Sequence, residues 1–285
     1  MMCTRNGASR MTDRDDRSDT AHEILQAVTT AARDVLAMEA VYALGSLAHG
    51  GFAPLVSDVD VAVVVSGIHG DSPGLIERVG QIARRQCPSP LAQRLSIFWS
   101  DWDGVRQGRG RGRLPEVDRL DLIESGLLLA GTDLRAGATR PTGQMLVKES
   151  AALASSKFDD RYLADMRDTG ALVAAGPRAV TKAVLLPVRF LFTLRTSGIG
   201  HNDVAAEWYA QHGRHPELAA AAMEWRRGGT MRTAEAKKLL DEHLVGIYDE
   251  FFTTYIEALS ATGDESLARA LGARRHALLG LAQRK

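Results

Sequence analysis

The apolar positions change their period along this chain. From Thr20 to Ala37, Ile24, Leu25, Val28, Ala31, Ala32, Val35 and Leu36 recur on one helical face, and Thr20-Ala21-His22-Glu23 has capping-box spacing. A short apolar run, Val41 to Leu44, stops at Gly45-Ser46 and reads as a strand entering a tight turn. Asp58 to Val65 is β-branched and almost wholly apolar after its first residues, as in a strand buried on both faces. Pro73 to Arg85 reads as an amphipathic helix and Arg94 to Trp99 as a third strand. Gly108 to Arg113 reads as a flexible basic loop, and Val117 to Leu129 as a helix ended by Gly131.

Strand signals then vanish. From Lys148 onward the chain is rich in Ala, Leu and Arg, with helical periodicity broken at Gly170, Gly176-Pro177, Ser197-Gly198, Gly213, Gly228-Gly229 and Gly263. The expected class is α+β: a mixed α/β domain over 20–140, a linker around Gly137 to Gly143, and an all-helical domain over 145–285. Residues 1–19 carry charges and no apolar stretch, and are expected to be a disordered leader rather than a signal peptide.

Composition narrows the function classes. The chain has 285 residues, 35 basic and 35 acidic, and so no net charge. That balance argues against a protein whose main task is to hold a nucleic-acid backbone. The sequence has no apolar run long enough to span a bilayer. Its two cysteines build neither a disulfide framework nor a zinc cluster, which fits a reducing, cytoplasmic setting. The expected oligomeric state is monomer or dimer.

The chemistry-bearing stretch is Ala43 to Val65. Gly45-Ser46 is followed by eleven residues and then by Asp58-Val59-Asp60 at the mouth of the apolar strand. Residues i and i+2 of a strand share a side, so Asp58 and Asp60 aim two carboxylates at one region, about 7 Å apart along the backbone. Two hard oxygen donors so placed suit Mg²⁺, which completes its shell with water and phosphate oxygens. Gly45 lets backbone approach a phosphate, Ser46 offers a hydroxyl, and the short helix that follows offers N–H groups.

At these residues, Leu44-Gly45-Ser46 and Asp58-Val59-Asp60, the chain resembles the nucleotidyltransferase superfamily of DNA polymerase beta, whose small-molecule branch includes antibiotic adenylyltransferases. The resemblance implies a small mixed sheet flanked by helices, and Mg²⁺-dependent transfer of AMP from ATP to a hydroxyl. The helical C-terminal domain, and the stretch Asn202-Asp203-Val204-Ala205-Ala206-Glu207-Trp208, are similar to the aminoglycoside (3″)(9)-adenylyltransferases. That similarity implies that Asp203 and Glu207 contact a small-molecule hydroxyl acceptor, such as an aminoglycoside-like antibiotic. It also implies that a basic residue of the helical domain, Arg226 among the candidates, reaches the triphosphate. Glu124-Ser125-Gly126 and the leucines after it resemble the segment that closes such catalytic domains, with a packing role.

One feature departs from the pattern. The resembled adenylyltransferases carry a catalytic Glu at the start of the third strand, where this chain has Arg94. Asp101, and after it Asp103, lie just past that strand and are the expected substitutes for the third carboxylate. The departure keeps two other functions open: AMPylation of a protein or RNA, and nucleotide binding by a regulator without catalysis.

Overall fold

The computed structural model describes residues 6–110 and 112–282. The chain divides after Arg140 into two compact units.

The first unit opens with α1 (Asn6–Val35). Residues 1–5 lie outside the described residues, but from Asn6 the backbone is already helical, so the expected leader is corrected over 6–19. The reason is local: apart from Gly7 no helix breaker stands between Asn6 and Val35. The capping-box spacing at Thr20 therefore falls inside the helix rather than at its start.

There follow β1 (Met38–Leu44), α2 (Gly45–Ala48), β2 (Val59–Val65), α3 (Ser72–Gln86), β3 (Leu95–Ser100), α4 (Trp102–Gln107), α5 (Glu116–Ser125) and β4 (Leu127–Gly131). The strands form one mixed sheet in the order β3-β2-β1-β4. β1 runs antiparallel to β2 and to β4, and β2 runs parallel to β3.

β2 is apolar on both faces because both are covered. Val59, Val61, Val63 and Val65 join Val41, Ala43 and Ile97 against α1 and α3. Ala62 and Val64 join Tyr42 and Leu44 against Val105 of α4 and Leu122 of α5. Asp60 alternates with Val59 and Val61, so it points to the α5 face.

Two local expectations change. The helix expected over Val117 to Leu129 ends at Ser125, and Leu127–Gly131 is a strand paired with β1. Gly126 makes the break, since a Cβ there would stand 2.6 Å from Leu122 O. The glycine-rich segment is not a loose loop: Trp99 N–H donates to Arg113 O at 2.9 Å, and Gly112 has no room for a Cβ beside Trp99 O. Gly112 serves close backbone approach to the edge of the sheet.

The second unit is helical: α6 (Gly143–Lys157), α7 (Asp160–Arg167), α8 (Thr169–Ala174), α9 (Pro177–Thr196), α10 (Asn202–His212), α11 (Pro216–Arg226), α12 (Thr233–Ala261) and α13 (Glu265–Ala282). Phe158, Phe190, Tyr248, Phe251, Phe252 and Tyr255 are buried at its centre, with Phe158 edge-on to Tyr248, Phe251 and Phe252. α9 runs through Pro187, which has no N–H for the carbonyl of Ala183. The hydroxyl of Tyr248 fills that place, donating to Ala183 O at 2.9 Å. Among the described residues, no helix is long and apolar enough to cross a membrane.

His215, at the start of α11, meets His243 of α12 with their Nδ1 atoms 3.3 Å apart. Burial lowers the His215 imidazole below its ordinary value, and His243 lowers it further, against the opposing pull of Glu250 and Glu217. The unfolded chain therefore binds a proton at higher pH than the folded chain. The stability carried by neutral His215 is complete above the unfolded-state value of 6.5 and is lost as pH falls below it. In a calorimetric series from about pH 7.5 to about 5.5, the melting midpoint is expected to fall, and His215→Asn is expected to flatten that slope. Equal slopes in the two proteins would take His215 out of the pH response.

Candidate active site

The site grows from the junction of β1 and β2. Leu44 stands opposite Asp60 across the two strands, so the chain leaves β1 beside that carboxylate. Gly45 then adopts φ +58°, the left-handed region that L side chains avoid. A Cβ at Gly45 would lie 3.1 Å from Asp60 Oδ2, tighter than side chains normally pack. The backbone conformation favours glycine here, and the contact adds pressure on Asp60.

Ser46 Oγ donates to Ser57 Oγ at 3.1 Å, and Ser57 Oγ accepts from Ala53 N at 3.0 Å. This ties the Gly45-Ser46 turn to the residue just before Asp58. Asp58 stands one position ahead of β2 and, like Asp60, is half-buried.

Arg94 takes a structural role. Its Nη1 donates to the carbonyls of Pro54, Leu55 and Ser57, at 3.3, 3.2 and 3.1 Å. Where the resembled adenylyltransferases place an acid, this chain has a guanidinium that closes the segment leading into Asp58.

Asp101 is not the substitute. It caps α4, accepting from Gly104 N at 2.8 Å. β3 runs parallel to β2 with Ser96 beside Asp60 and Ser100 beside Val64. Asp101 therefore lies beyond the far end of the strand, roughly 16 Å along it from the Asp60 level at about 3.3 Å per residue. Asp103, in the first turn of α4, is carried away with it. The strand's direction excludes both expectations.

The acid that the fold brings to Gly45 is Asp121 of α5, which the sequence pattern did not single out. Its Oδ2 accepts from Gly45 N–H at 2.7 Å, a short charge-assisted bond. The side chain is only 7% exposed, and its Oδ1 is buried with no hydrogen-bond partner. Leaving such an atom unsatisfied costs about 1–3 kcal/mol. Gly45 thus approaches two carboxylates, and this chain of contacts puts Asp60 Oδ2 within about 8 Å of Asp121 Oδ2.

Arginines hold α5 in place. Arg119, itself buried, donates to Glu116 and to the carbonyls of Val105 and Thr139. Arg135 donates to the carbonyls of Leu122 and Gly126 at the end of α5, and lies over the ring of Tyr42. Its hydrogen bonds to Asp133 hold that carboxyl well below the usual range. A sequence signal for Asp121 existed in its neighbours: an acid between Leu120 and Leu122 on a helix whose apolar side must meet the sheet.

Asp58 and Asp60 fit a magnesium ion by donor type. They supply two carboxylates, and the gap beside Gly45 is one that any Cβ would fill. Among the described residues no group of three or more His, Cys, Asp or Glu side chains could hold a metal by itself. The donor set therefore suits an ion that draws its remaining ligands from nucleotide and water.

Asp203, Glu207 and Arg226 belong to the second unit. Asp203 lies in the first turn of α10 and its Oδ1 accepts from Arg227 Nη2 at 2.7 Å. Glu207, one turn further on, is exposed. Arg226 is buried at the last turn of α11.

No protein-family model matches this chain. No curated protein matches it by sequence either. Among solved structures, it shares its fold with an adenyltransferase. That structure is spectinomycin adenyltransferase AAD(9) from Enterococcus faecialis with ATP and spectinomycin, at 17% identity and a TM-score of 0.51. The match covers 78% of this chain and 98% of the other.

Proposed function

We propose that this protein is a Mg²⁺-dependent nucleotidyltransferase that moves AMP from ATP to a hydroxyl of a small molecule. The observation that carries this reading is the Gly45 turn packed against Asp60, with Asp58 two residues away and a Cβ at residue 45 bound to press on Asp60 Oδ2 at 3.1 Å. ATP as co-substrate and a spectinomycin-like or aminoglycoside-like acceptor are supported by the shared fold with an adenyltransferase whose structure holds ATP and spectinomycin.

In the proposed reaction the acceptor oxygen attacks the α-phosphorus of ATP. The bond from that phosphorus to the bridging oxygen breaks, pyrophosphate leaves, and the acceptor's hydroxyl proton passes to solvent water. Asp58 and Asp60 would hold magnesium, which when bound offsets the phosphate charge and polarises the reacting phosphorus. Gly45 orients the phosphates by close backbone approach, and the Ser46 hydroxyl would join it on leaving Ser57. Asp203 and Glu207 are the proposed contacts for the acceptor, and their acidity suits a cationic one. Arg226 remains a proposed nucleotide contact only if its buried side chain turns outward.

The test is pyrophosphate release from ATP and Mg²⁺ against a panel including spectinomycin, streptomycin and other aminoglycosides. Release that depends on one acceptor is the expected result. Mg·ATP binding with no release across the panel would favour a nucleotide-binding regulator. Labelling of a macromolecule by α-labelled ATP would move the acceptor from small molecule to protein or RNA.

A further inference from the structure

Asp121 poses a chemical question that holding Gly45 does not answer. One neutral acceptor oxygen would satisfy the Gly45 N–H, yet the chain places a full carboxylate there, buried, with Oδ1 unpartnered. The basic side chains that bracket it on α5 and just after are engaged elsewhere: Arg119 with Glu116, Arg135 with Asp133, and Arg140 with Glu124. Its Oδ2 meets the N–H of the same glycine whose Cβ position faces Asp60 Oδ2. A buried carboxylate oxygen without a partner is costly until a donor reaches it.

From this we infer that Asp121 is the third carboxylate of the site, supplied by α5 rather than by β3. Oδ2 fixes the Gly45 turn, and Oδ1 accepts a hydrogen bond from the hydration shell of the divalent ion that Asp58 and Asp60 hold. Asp121 is a positioning residue: it acts through Gly45 and through the ion's water, not on the reacting atoms. The inference rests on the nucleotidyltransferase reading above.

The test measures binding, not turnover. Affinity for α,β-methylene-ATP, which cannot transfer AMP, is measured by calorimetry with and without Mg²⁺ for the wild type, Asp121→Asn and Asp58→Asn. Asn keeps an acceptor for Gly45 N–H, so metal-free affinity is expected to hold. The Mg²⁺-dependent gain in affinity is expected to fall by about 10–100-fold, the usual effect of losing an outer-shell partner. A full gain in Asp121→Asn, with the gain lost in Asp58→Asn, overturns the inference and leaves the proposed function standing. No gain in the wild type overturns the proposed function itself, and the inference with it. If Asp121→Asn melts far below the wild type, Asp121→Ser carries the same comparison. The Gly45 amide resonance of the wild type gives a reading that needs no variant. It is expected to shift when Mg²⁺ joins the bound analogue, and no shift overturns the inference.

Discussion

Asp58→Asn and Asp60→Asn are each expected to lower Mg²⁺-dependent pyrophosphate release by ~10³-fold or more. Each removes one of two carboxylates from an ion whose charge stabilisation is worth several kcal/mol, and every 1.36 kcal/mol is tenfold in rate. Asn has the shape of Asp, and both positions are half-buried rather than sealed in the core. The melting midpoint is therefore expected to stay within about 2–4 °C of the wild type. Full activity in either variant would remove that residue from the site. Loss of activity together with loss of fold would assign it to structure instead.

The candidate residues of the β1–β2 connection were readable because they are local. Gly45, Ser46, Asp58 and Asp60 belong to one hairpin-like excursion, and a glycine before a turn and acids before an apolar strand keep their meaning wherever the strand lies. Asp121 was hidden for the opposite reason. Glu116, Asp118, Asp121 and Glu124 share one short helix, and the signal in Leu120 and Leu122 gains meaning only once the side that meets the sheet is known. Only the packing of α5 on the Asp60 face decides which of them is buried. Asp101 failed through direction: a strand parallel to β2 carries its C-terminal residues away from the mouth where Asp60 lies.

Periodicity also misplaced β4. Leu127-Leu128-Leu129 after a helix reads as more helix, and extended pairing with β1 overrides that local preference. The mixed sheet and the helical second unit were readable, since β-branched runs and long helical periods are separate signals over this length.

The demand on Gly45 can be separated into conformation and contact. Gly45→Ala is expected to cut kcat/KM by about 10²-fold, the scale of a displacement near 1 Å in a reacting site. Two causes add. An L residue at φ +58° is strained by about 1–2 kcal/mol, and its methyl group would press on Asp60 Oδ2 at 3.1 Å. Gly50 isolates the first cause. It also has a left-handed backbone, at φ +84°, but a Cβ there would meet nothing within 4 Å. Gly50→Ala is expected to lower the melting midpoint by a similar amount and leave kcat/KM within about threefold, because strain alone does not move Asp60. Equal losses of activity in the two variants would show that loop strain, not the contact with Asp60, limits the site. A loss confined to Gly45→Ala, with metal-free nucleotide affinity retained, would place the damage at the carboxylate. The ion's position would then be what the missing side chain at residue 45 protects.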